Sequence, residues 1–143
     1  MEAIGRGRWI ARILLALFYG YAGITHLRSP EFFMAITPEW VPEPYFVIMG
    51  TGVCEIAGAV AILTRRLRWI AGVMLALYAV CVYPANVRHA LEGIAIGGKA
   101  LGWWYHGPRL ALQPVIIWWA LYAGAVIDWP FARRTATVAS PRA

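Results

Sequence analysis

Residues 45–64, YFVIMGTGVCEIAGAVAILT, form a run of twenty residues in which Glu55 is the only charged side chain. A helix of this length rises about 30 Å, which is the thickness of the hydrocarbon core of a bilayer. Three further apolar runs of similar length lie at residues 9–27, 69–89 and 108–128. Because the apolar residues are continuous and do not alternate with polar ones, the runs indicate helices and not the strands of a barrel. The sequence therefore predicts an all-α membrane protein, built as a bundle of four transmembrane helices.

The composition of the whole chain supports a membrane location. Hydrophobic residues make up 61% of the 143 residues and charged residues 14%, against about 45–50% and about 25% in soluble domains. The net charge of +6 comes from 13 Lys and Arg residues, most of which lie at the ends of apolar runs. That placement is typical of membrane topology and not of a nucleic-acid-binding patch. We therefore expect the lipid bilayer, and no nucleic acid, as a partner.

The distribution of Lys and Arg predicts the orientation of the chain. Basic residues cluster before the first run, in the turn 65–68 and in the tail 129–143, whereas the interiors of the other two connections carry few. By the positive-inside rule, both termini lie in the cytoplasm and the protein is a multi-pass protein of the cytoplasmic membrane. We interpret residues 1–143 as one domain with residues 129–143 as its cytoplasmic tail. We favour a spanning helix over a signal peptide for the first run, because the run lacks an Ala-x-Ala site and continues to His26.

Two of the connections have features of their own. In the first, Ser29 is a suitable N-cap and Pro30 follows at the first helical position, ahead of apolar residues at 32–36. We expect a short amphipathic helix there, lying on the outer membrane surface. The third connection, residues 91–107, contains five glycines and is predicted to be a mobile loop in which His106 is solvated.

Polar side chains at hydrocarbon depth are the candidate functional residues, because each costs several kcal/mol there unless it is partnered. Glu55 lies ten residues beyond Tyr45, about 15 Å along a helix, and therefore near the midplane. Spacings of three or four residues place the other candidates on shared helix faces. The residues that we expect to line a polar cavity with Glu55, in the outer half of the bilayer, are Tyr19, His26, Asn86, His89, Arg109 and Gln113.

Structural roles are the alternative for each of these residues. Glu55 either ties the helices together by pairing with Arg109 or another polar residue of the last two runs, or it binds a ligand or handles a proton. The histidines near the boundary favour interfacial positions, and Asn86 and Gln113 favour interhelical hydrogen bonds. Arg12, in the inner half, is expected to snorkel to the membrane surface.

Small residues suggest where helices pack. Gly50, Cys54 and Gly58 recur every four residues and predict a seam at which another helix approaches closely. Cys54 and Cys81 lie at similar depth, so a disulfide is geometrically open, but we favour two small buried packing residues. The chain has no CxxC pair and no zinc spacing, so we expect no metal site.

Several motifs, taken together, resemble the DoxX-like family of small membrane proteins. They occur in order on the four predicted helices and the first connection: AGITH at 22–26, SPEFF at 29–33, TPEWVP at 37–42, GVCE at 52–55, YPAN at 83–86 and RLALQ at 109–113. The resemblance runs from Ile13 to Tyr122 and implies a four-helix bundle in the cytoplasmic membrane with its Glu, Asn and Gln positions facing inward. Ala111 departs from the pattern, since many relatives have proline there. The family's links to quinones, oxidative stress and receptor assembly imply a redox-related role; the cofactor stays unknown, with a quinone as the candidate.

Three functions remain open at this point. We favour a protein that binds a small lipophilic molecule in the outer-half cavity, with Glu55 and His26 as the acid–base residues and the other polar residues as ligand contacts. The first alternative is a non-enzymatic assembly subunit or chaperone that pairs with a membrane partner, or with a second copy, through the small-residue seam. The second is an isomerase or cyclase for a lipophilic substrate, in which Glu55 and His26 are the acid and base. Whether the protein is an enzyme depends on which of these holds.

Overall fold

The computed structural model describes residues 5–131 and contains five α-helices. The helices are α1 (Arg6–Arg28), α2 (Pro30–Ile36), α3 (Pro44–Leu63), α4 (Arg68–Glu92) and α5 (Trp103–Ala123). Residues 5–131 contain no β-strand, so the predicted all-α class is confirmed for them. The tail from residue 132 onward, predicted to be cytoplasmic, lies outside the described residues.

Three of the helices, α1, α3 and α4, are long and apolar enough to cross a membrane. Each of these helices contains an apolar stretch of 18 residues. Only 28% of that stretch in α1 and in α3, and 33% in α4, is buried inside the bundle. Most of their apolar side chains therefore face outward, which lipid favours and water does not. These helices identify a multi-pass membrane protein.

The fourth predicted span corresponds to α5, but its position along the sequence was wrong. α5 begins at Trp103 and ends at Ala123, five residues before the predicted bounds of 108–128. The predicted first residue, Pro108, lies inside the helix, which begins five residues earlier. Its 21 residues rise about 32 Å, which is long enough to cross a membrane. Its most apolar stretch of 18 residues is less apolar than those of α1, α3 and α4, because its first half carries several polar residues.

The early end of α5 has a backbone cause. Ala125 has a positive φ of 61°, which a helix does not continue through. The Val126 N–H then bonds back to the Leu121 carbonyl at 2.9 Å, the pattern that closes many helix C-termini. The apolar sequence continues past this point, so hydrophobicity alone did not reveal the end.

The other predicted helix bounds differ from the observed ones by one to three residues. α2 begins at Pro30 as predicted, although the Ser29 side chain makes no cap hydrogen bond. α4 continues to Glu92, so the glycine-rich loop covers only residues 93–102. In that loop the backbone reverses between Ile96 and Lys99, which exchange two hydrogen bonds of 3.1 Å. The mobility predicted for the loop stays a prediction.

α1 and α3 are antiparallel and pack most closely at two glycines. Gly20 faces Ala59 and Gly23 faces Gly52, so the two helices run in opposite directions. A Cβ added to Gly23 would lie 2.6 Å from the Gly52 carbonyl oxygen, and one added to Gly52 would lie 2.9 Å from His26 Cβ. Only glycine allows the two backbones this approach.

The predicted seam of Gly50, Cys54 and Gly58 is mostly not used inside the chain. Gly58 packs closely, because a Cβ there would meet Leu75 at 2.6 Å, but nothing lies within 4 Å of a Cβ built on Gly50. Cys54 is exposed, and so is Cys81. The prediction that both cysteines are buried packing residues was therefore wrong, and both are free thiols.

The packed core lies in the half of the bundle where α1 begins. Its buried residues come from four helices: Leu15, Tyr19, Ala59, Ile62, Ala71, Leu75, Ala76, Ala120 and Ala123. Arg12 lies beside this core at 2% exposure, and its Nε donates to the Ala123 carbonyl at 2.6 Å. The expectation that Arg12 snorkels was wrong, since its guanidinium instead satisfies a carbonyl at the C-terminus of α5.

Gly23→Ala should separate α1 from α3, because the new Cβ would overlap the Gly52 carbonyl oxygen. We expect a loss of about 1–3 kcal/mol in the free energy of unfolding, measured as a lower midpoint of thermal unfolding in detergent micelles. Gly50→Ala is the matched control on the open face of α3 and should leave the midpoint unchanged or slightly raised. Equal midpoints for both variants and the wild type would contradict the close approach.

Candidate functional site

The half of the bundle opposite the core contains a cavity of about 600 Å³. All five helices contribute to its wall, and Trp40 and Trp104, at 73% and 75% exposure, lie at its rim. Apolar and aromatic side chains form most of the lining. The predicted polar residues in the wall are Tyr19, His26, Glu55, Asn86, Arg109 and Gln113. A concave, mostly apolar pocket with a few convergent polar groups is the usual form of a small-molecule site.

Glu55 and His26 meet across the contact between α1 and α3. Each lies three residues after a contact glycine, Gly52 and Gly23. Side chains lean toward the N-terminus of their own helix, and the helices are antiparallel, so these two lean toward each other. His26 Nδ1 lies 2.9 Å from Glu55 Oε2, and Glu55 is only 3% exposed.

One oxygen of Glu55 is left without a hydrogen-bond donor. His26 Nδ1 also lies 2.9 Å from the Ala22 carbonyl oxygen, and because a carbonyl only accepts, Nδ1 carries the proton. That N–H is directed at Ala22, so Glu55 Oε2 accepts no hydrogen bond from residues 5–131 despite its short distance to the ring. Thr51 and Tyr78 lie next to this carboxylate in the cavity wall.

α2 covers the imidazole of His26. Phe33 stacks on that ring with the centroids 3.7 Å apart and the planes 19° from parallel. The turn after α2 is held by Arg88 of α4, which donates to the Thr37 carbonyl and pairs with Glu92 at 3.0 Å. A helix of seven residues is marginal on its own, so these contacts keep it in place beside the cavity.

A chain of hydrogen bonds joins α4 and α5 on another wall of the cavity. Arg109 donates from Nη1 to His89 Nδ1 at 2.9 Å and from Nη2 to Asn86 Oδ1 at 2.7 Å. Asn86 Nδ2 donates to Gln113 Oε1 at 3.2 Å, and Gln113 Nε2 donates to the Ala79 carbonyl. The chain thus fixes the side chains of Arg109, Asn86 and Gln113 relative to one another.

His89 is the second fixed point of Arg109. A guanidinium has only donors, so Nδ1 of His89 accepts, and its Nε2–H donates to the Ile94 carbonyl at 3.1 Å. Both ring nitrogens are therefore used, and the ring is in the Nε2–H form. His89 holds the guanidinium from behind and does not itself line the cavity.

The structure brings six of the seven predicted site residues to one cavity and leaves His89, at 1% exposure, behind the wall. Tyr19 lines the cavity, but its hydroxyl already donates to the Leu75 carbonyl at 3.1 Å. Glu55 lies beside His26. The partners expected for a structural role were Arg109, Asn86 and Gln113. The catalytic and ligand-binding roles assigned to these residues stay predictions.

Sequence reasoning missed some residues of the site and misplaced one. Thr51 lies one helical turn before Glu55, and Tyr78 lies two turns before Asn86, so helical spacing was the available signal. His106, predicted to be solvated, is 2% exposed and packs edge-on against His89 with the ring centroids 4.6 Å apart. The reason is the early start of α5, which puts His106 in a helix and not in a loop. Residues 5–131 contain no group of three His, Cys, Asp or Glu side chains that could hold a metal ion.

The apolar helices and the cavity together define the class: a multi-pass helical membrane protein with a candidate small-molecule site. The chain belongs to the family described as Domain of unknown function (DUF8561), whose sequence profile matches residues 15–124. The matched region contains the whole cavity wall described above. No curated protein and no solved structure matches the chain.

Proposed function

We propose that the protein is an integral membrane protein that binds a small lipophilic molecule in the cavity between its helices. The observation that carries this proposal is the state of Glu55. Its Oε2 is a buried carboxylate oxygen in the wall of a cavity of about 600 Å³, and it accepts no hydrogen bond from residues 5 to 131. A buried acceptor without a donor costs about 1–3 kcal/mol, more if charged. A ligand that places a hydroxyl or another donor at this oxygen removes the cost.

The size and lining of the cavity limit the ligand. At about 30 Å³ for each water-sized group, the cavity holds roughly 20 non-hydrogen atoms. Aromatic side chains such as Phe18, Phe33 and Tyr78 in the wall favour a ring system or a single hydrocarbon chain. A quinone, the candidate implied by the resemblance to DoxX-like proteins, has a ring system of this kind, and its reduced quinol form supplies the hydroxyl donors. The corresponding cellular role is a redox-related or stress-related one.

The short contact between His26 and Glu55 favours a second candidate function. An imidazole and a carboxylate 2.9 Å apart in a cavity wall are the groups that an acid–base isomerase or cyclase uses. In that case Glu55 and His26 are the acid and the base, and each exchanges a proton with the bound molecule. An assembly role, in contrast, would use the outward face of α3 with Gly50 and Cys54 and would not need a carboxylate in the cavity.

We further propose that α5 is the fourth spanning helix. Its polar residues Arg109 and Gln113 bond to α4 and the cavity wall and are not presented to lipid. α5 also approaches α4 closely, since a Cβ added to Gly72 would lie 2.8 Å from Gly124 Cα. The arginines at 65, 66 and 68 lie at the core end of the bundle. By the positive-inside rule that end, with both termini, faces the cytoplasm, and the cavity lies in the outer half of the cytoplasmic membrane.

Sided labelling tests this topology. Single cysteines are placed at Arg66, Lys99 and Trp129 after Cys54 and Cys81 are changed to alanine, and intact cells are treated with an impermeant maleimide. We expect labelling of Lys99→Cys from outside, and labelling of Arg66→Cys and Trp129→Cys only after permeabilisation. Labelling of Trp129→Cys on the same side as Lys99→Cys would contradict α5 as a span, and a fully reversed pattern would contradict the orientation.

Glu55→Gln tests the binding function. The amide keeps the shape of the side chain but loses the charge and one acceptor, so a ligand donor loses its charged partner at the cavity wall. We expect the lipophilic molecule that copurifies with the wild type to fall by at least about tenfold in this variant. Native mass spectrometry and solvent extraction of the protein in mild detergent measure the amount of this molecule bound per protein.

Glu43→Gln is the matched control, because Glu43 is an exposed residue just before α3 and does not line the cavity. It should carry the same molecule as the wild type. The proposal is contradicted if the wild type and Glu55→Gln fold equally well and carry nothing beyond bulk lipid, or carry the same molecule in the same amount.

A further inference from the structure

Arg109 is a cation in the cavity wall, and its partners among residues 5–131 are all neutral. It lies six residues after the start of α5, about 9 Å along the helix. Its guanidinium bonds to His89 and Asn86, and the carbon Cζ lies 5.8 Å from the centroid of the Tyr105 ring. His89 is neutral in this contact because its Nδ1 accepts a hydrogen bond from Arg109.

The carboxylates of the described residues are paired elsewhere or lie apart from Arg109. Among residues 5–131, ion pairs join Arg8 to Asp128 and Arg88 to Glu39 and Glu92. The carboxylate of Glu55 lies beside the imidazole of His26. Within that range no carboxylate pairs with Arg109. Arg88, a half-buried cation of α4, has two carboxylate partners, and Arg12, a buried cation of α1, donates to a backbone carbonyl. Of these three arginines, Arg109 is the one that lines the cavity.

The geometry of the guanidinium leaves donors for a ligand. Of the five N–H groups of an arginine, the bonds to His89 and Asn86 use two. Among residues 5–131, Nε has no acceptor and is not sealed off by the protein, and Arg109 lines the cavity. The side chain is also held in one orientation by its two partners, so little entropy is lost when it binds a planar oxyanion through two parallel hydrogen bonds.

A cation at this depth is costly unless an anion matches it. We infer that the ligand of the cavity is an amphipathic carboxylate, whose oxygens accept from Arg109 and whose apolar body lies among the aromatic side chains of the wall. The inference rests on the proposed function, and it narrows the ligand from lipophilic molecules in general, quinones included, to acids. A volume of about 600 Å³ suits a single-chain or single-ring acid of roughly 20 non-hydrogen atoms better than a two-chain phospholipid.

The test compares an acid with its uncharged ester. Tritiated 12-hydroxydodecanoic acid, whose hydroxyl supplies a donor, and its methyl ester are titrated onto the full-length protein in phosphatidylcholine nanodiscs at alkaline pH, where the acid is ionised and Arg109 keeps its charge. Empty nanodiscs give the partition baseline. We expect the wild type to bind the acid at least tenfold more tightly than the ester.

Variants assign this preference to one side chain. Arg109→Gln should lose the preference for the acid while its affinity for the ester changes by less than about twofold, and this retained ester binding shows that the variant is folded. Arg109→Lys, which keeps the charge without the planar fork, should retain part of the preference. Arg28→Gln is the control: Arg28 is exposed at the same end of the bundle and does not line the cavity, so the full preference should remain.

Each contrary outcome has a distinct meaning. Equal affinity of the wild type for acid and ester overturns the anion inference and leaves the lipophilic site standing. Absence of saturable acid binding overturns the inference whatever the ester does, whereas the proposed function is decided separately by the molecule that copurifies with the wild type. If a small fraction of phosphatidylglycerol in the nanodisc abolishes acid binding, the oxyanion at Arg109 is a lipid phosphate and the carboxylate is overturned.

Discussion

The approach of α1 to α3 at Gly23 and Gly52 is the contact on which the arrangement of the cavity depends. With no Cβ on either residue, the two antiparallel backbones come close enough for atoms of one helix to lie within 3 Å of a Cβ position on the other. One turn further along each helix, the side chains lean back toward this contact. His26 Nδ1 and Glu55 Oε2 therefore meet at 2.9 Å.

This contact also separates two ends of the bundle with different properties. Toward the start of α1, Leu15, Tyr19 and small residues of the other helices fill the interior, and Arg12 bonds a carbonyl at the end of α5. Toward the other end the helices enclose a cavity, with the Glu55 carboxylate on one wall and the Arg109 guanidinium on another. The Glu55 oxygen lacks a hydrogen bond within the described part of the chain, and the Arg109 guanidinium has N–H groups left to donate. The cavity therefore favours a ligand with a donor, an anionic acceptor and a hydrocarbon body.

Much of the fold follows from the sequence, because apolar runs of about 20 residues leave few alternatives to spanning helices. The helix bounds of α1, α3 and α4 came within three residues. α5 was displaced because residues 103–107 were assigned to the third connection and because the positive φ at Ala125, which ends the helix, has no hydrophobic signature. Six of the seven predicted site residues line the cavity, since polar side chains in a membrane-spanning helix face the interior of the bundle and not the lipid.

Pairings within the site were not predictable in the same way. Which glycines carry a contact depends on the rotation of each helix about its axis, and a rotation of about 100° moves the contact from one residue to the next. That is why Gly52 is used and Gly50 is not, and why Cys54 faces outward. The partner of Glu55 depends on the same rotation and on the direction in which the side chains lean. The spacing of polar residues along the sequence determines neither of these.

A double-mutant cycle between His26 and Glu55 tests the central contact most directly. The free energy of unfolding in detergent micelles is measured for the wild type, His26→Gln, Glu55→Gln and the double variant. We predict that the effects of the two substitutions are non-additive by about 0.5–3 kcal/mol, as for residues in contact. Additivity to within about 0.3–0.5 kcal/mol would mean that the two side chains do not interact, and would contradict the account of how α1 and α3 build the cavity.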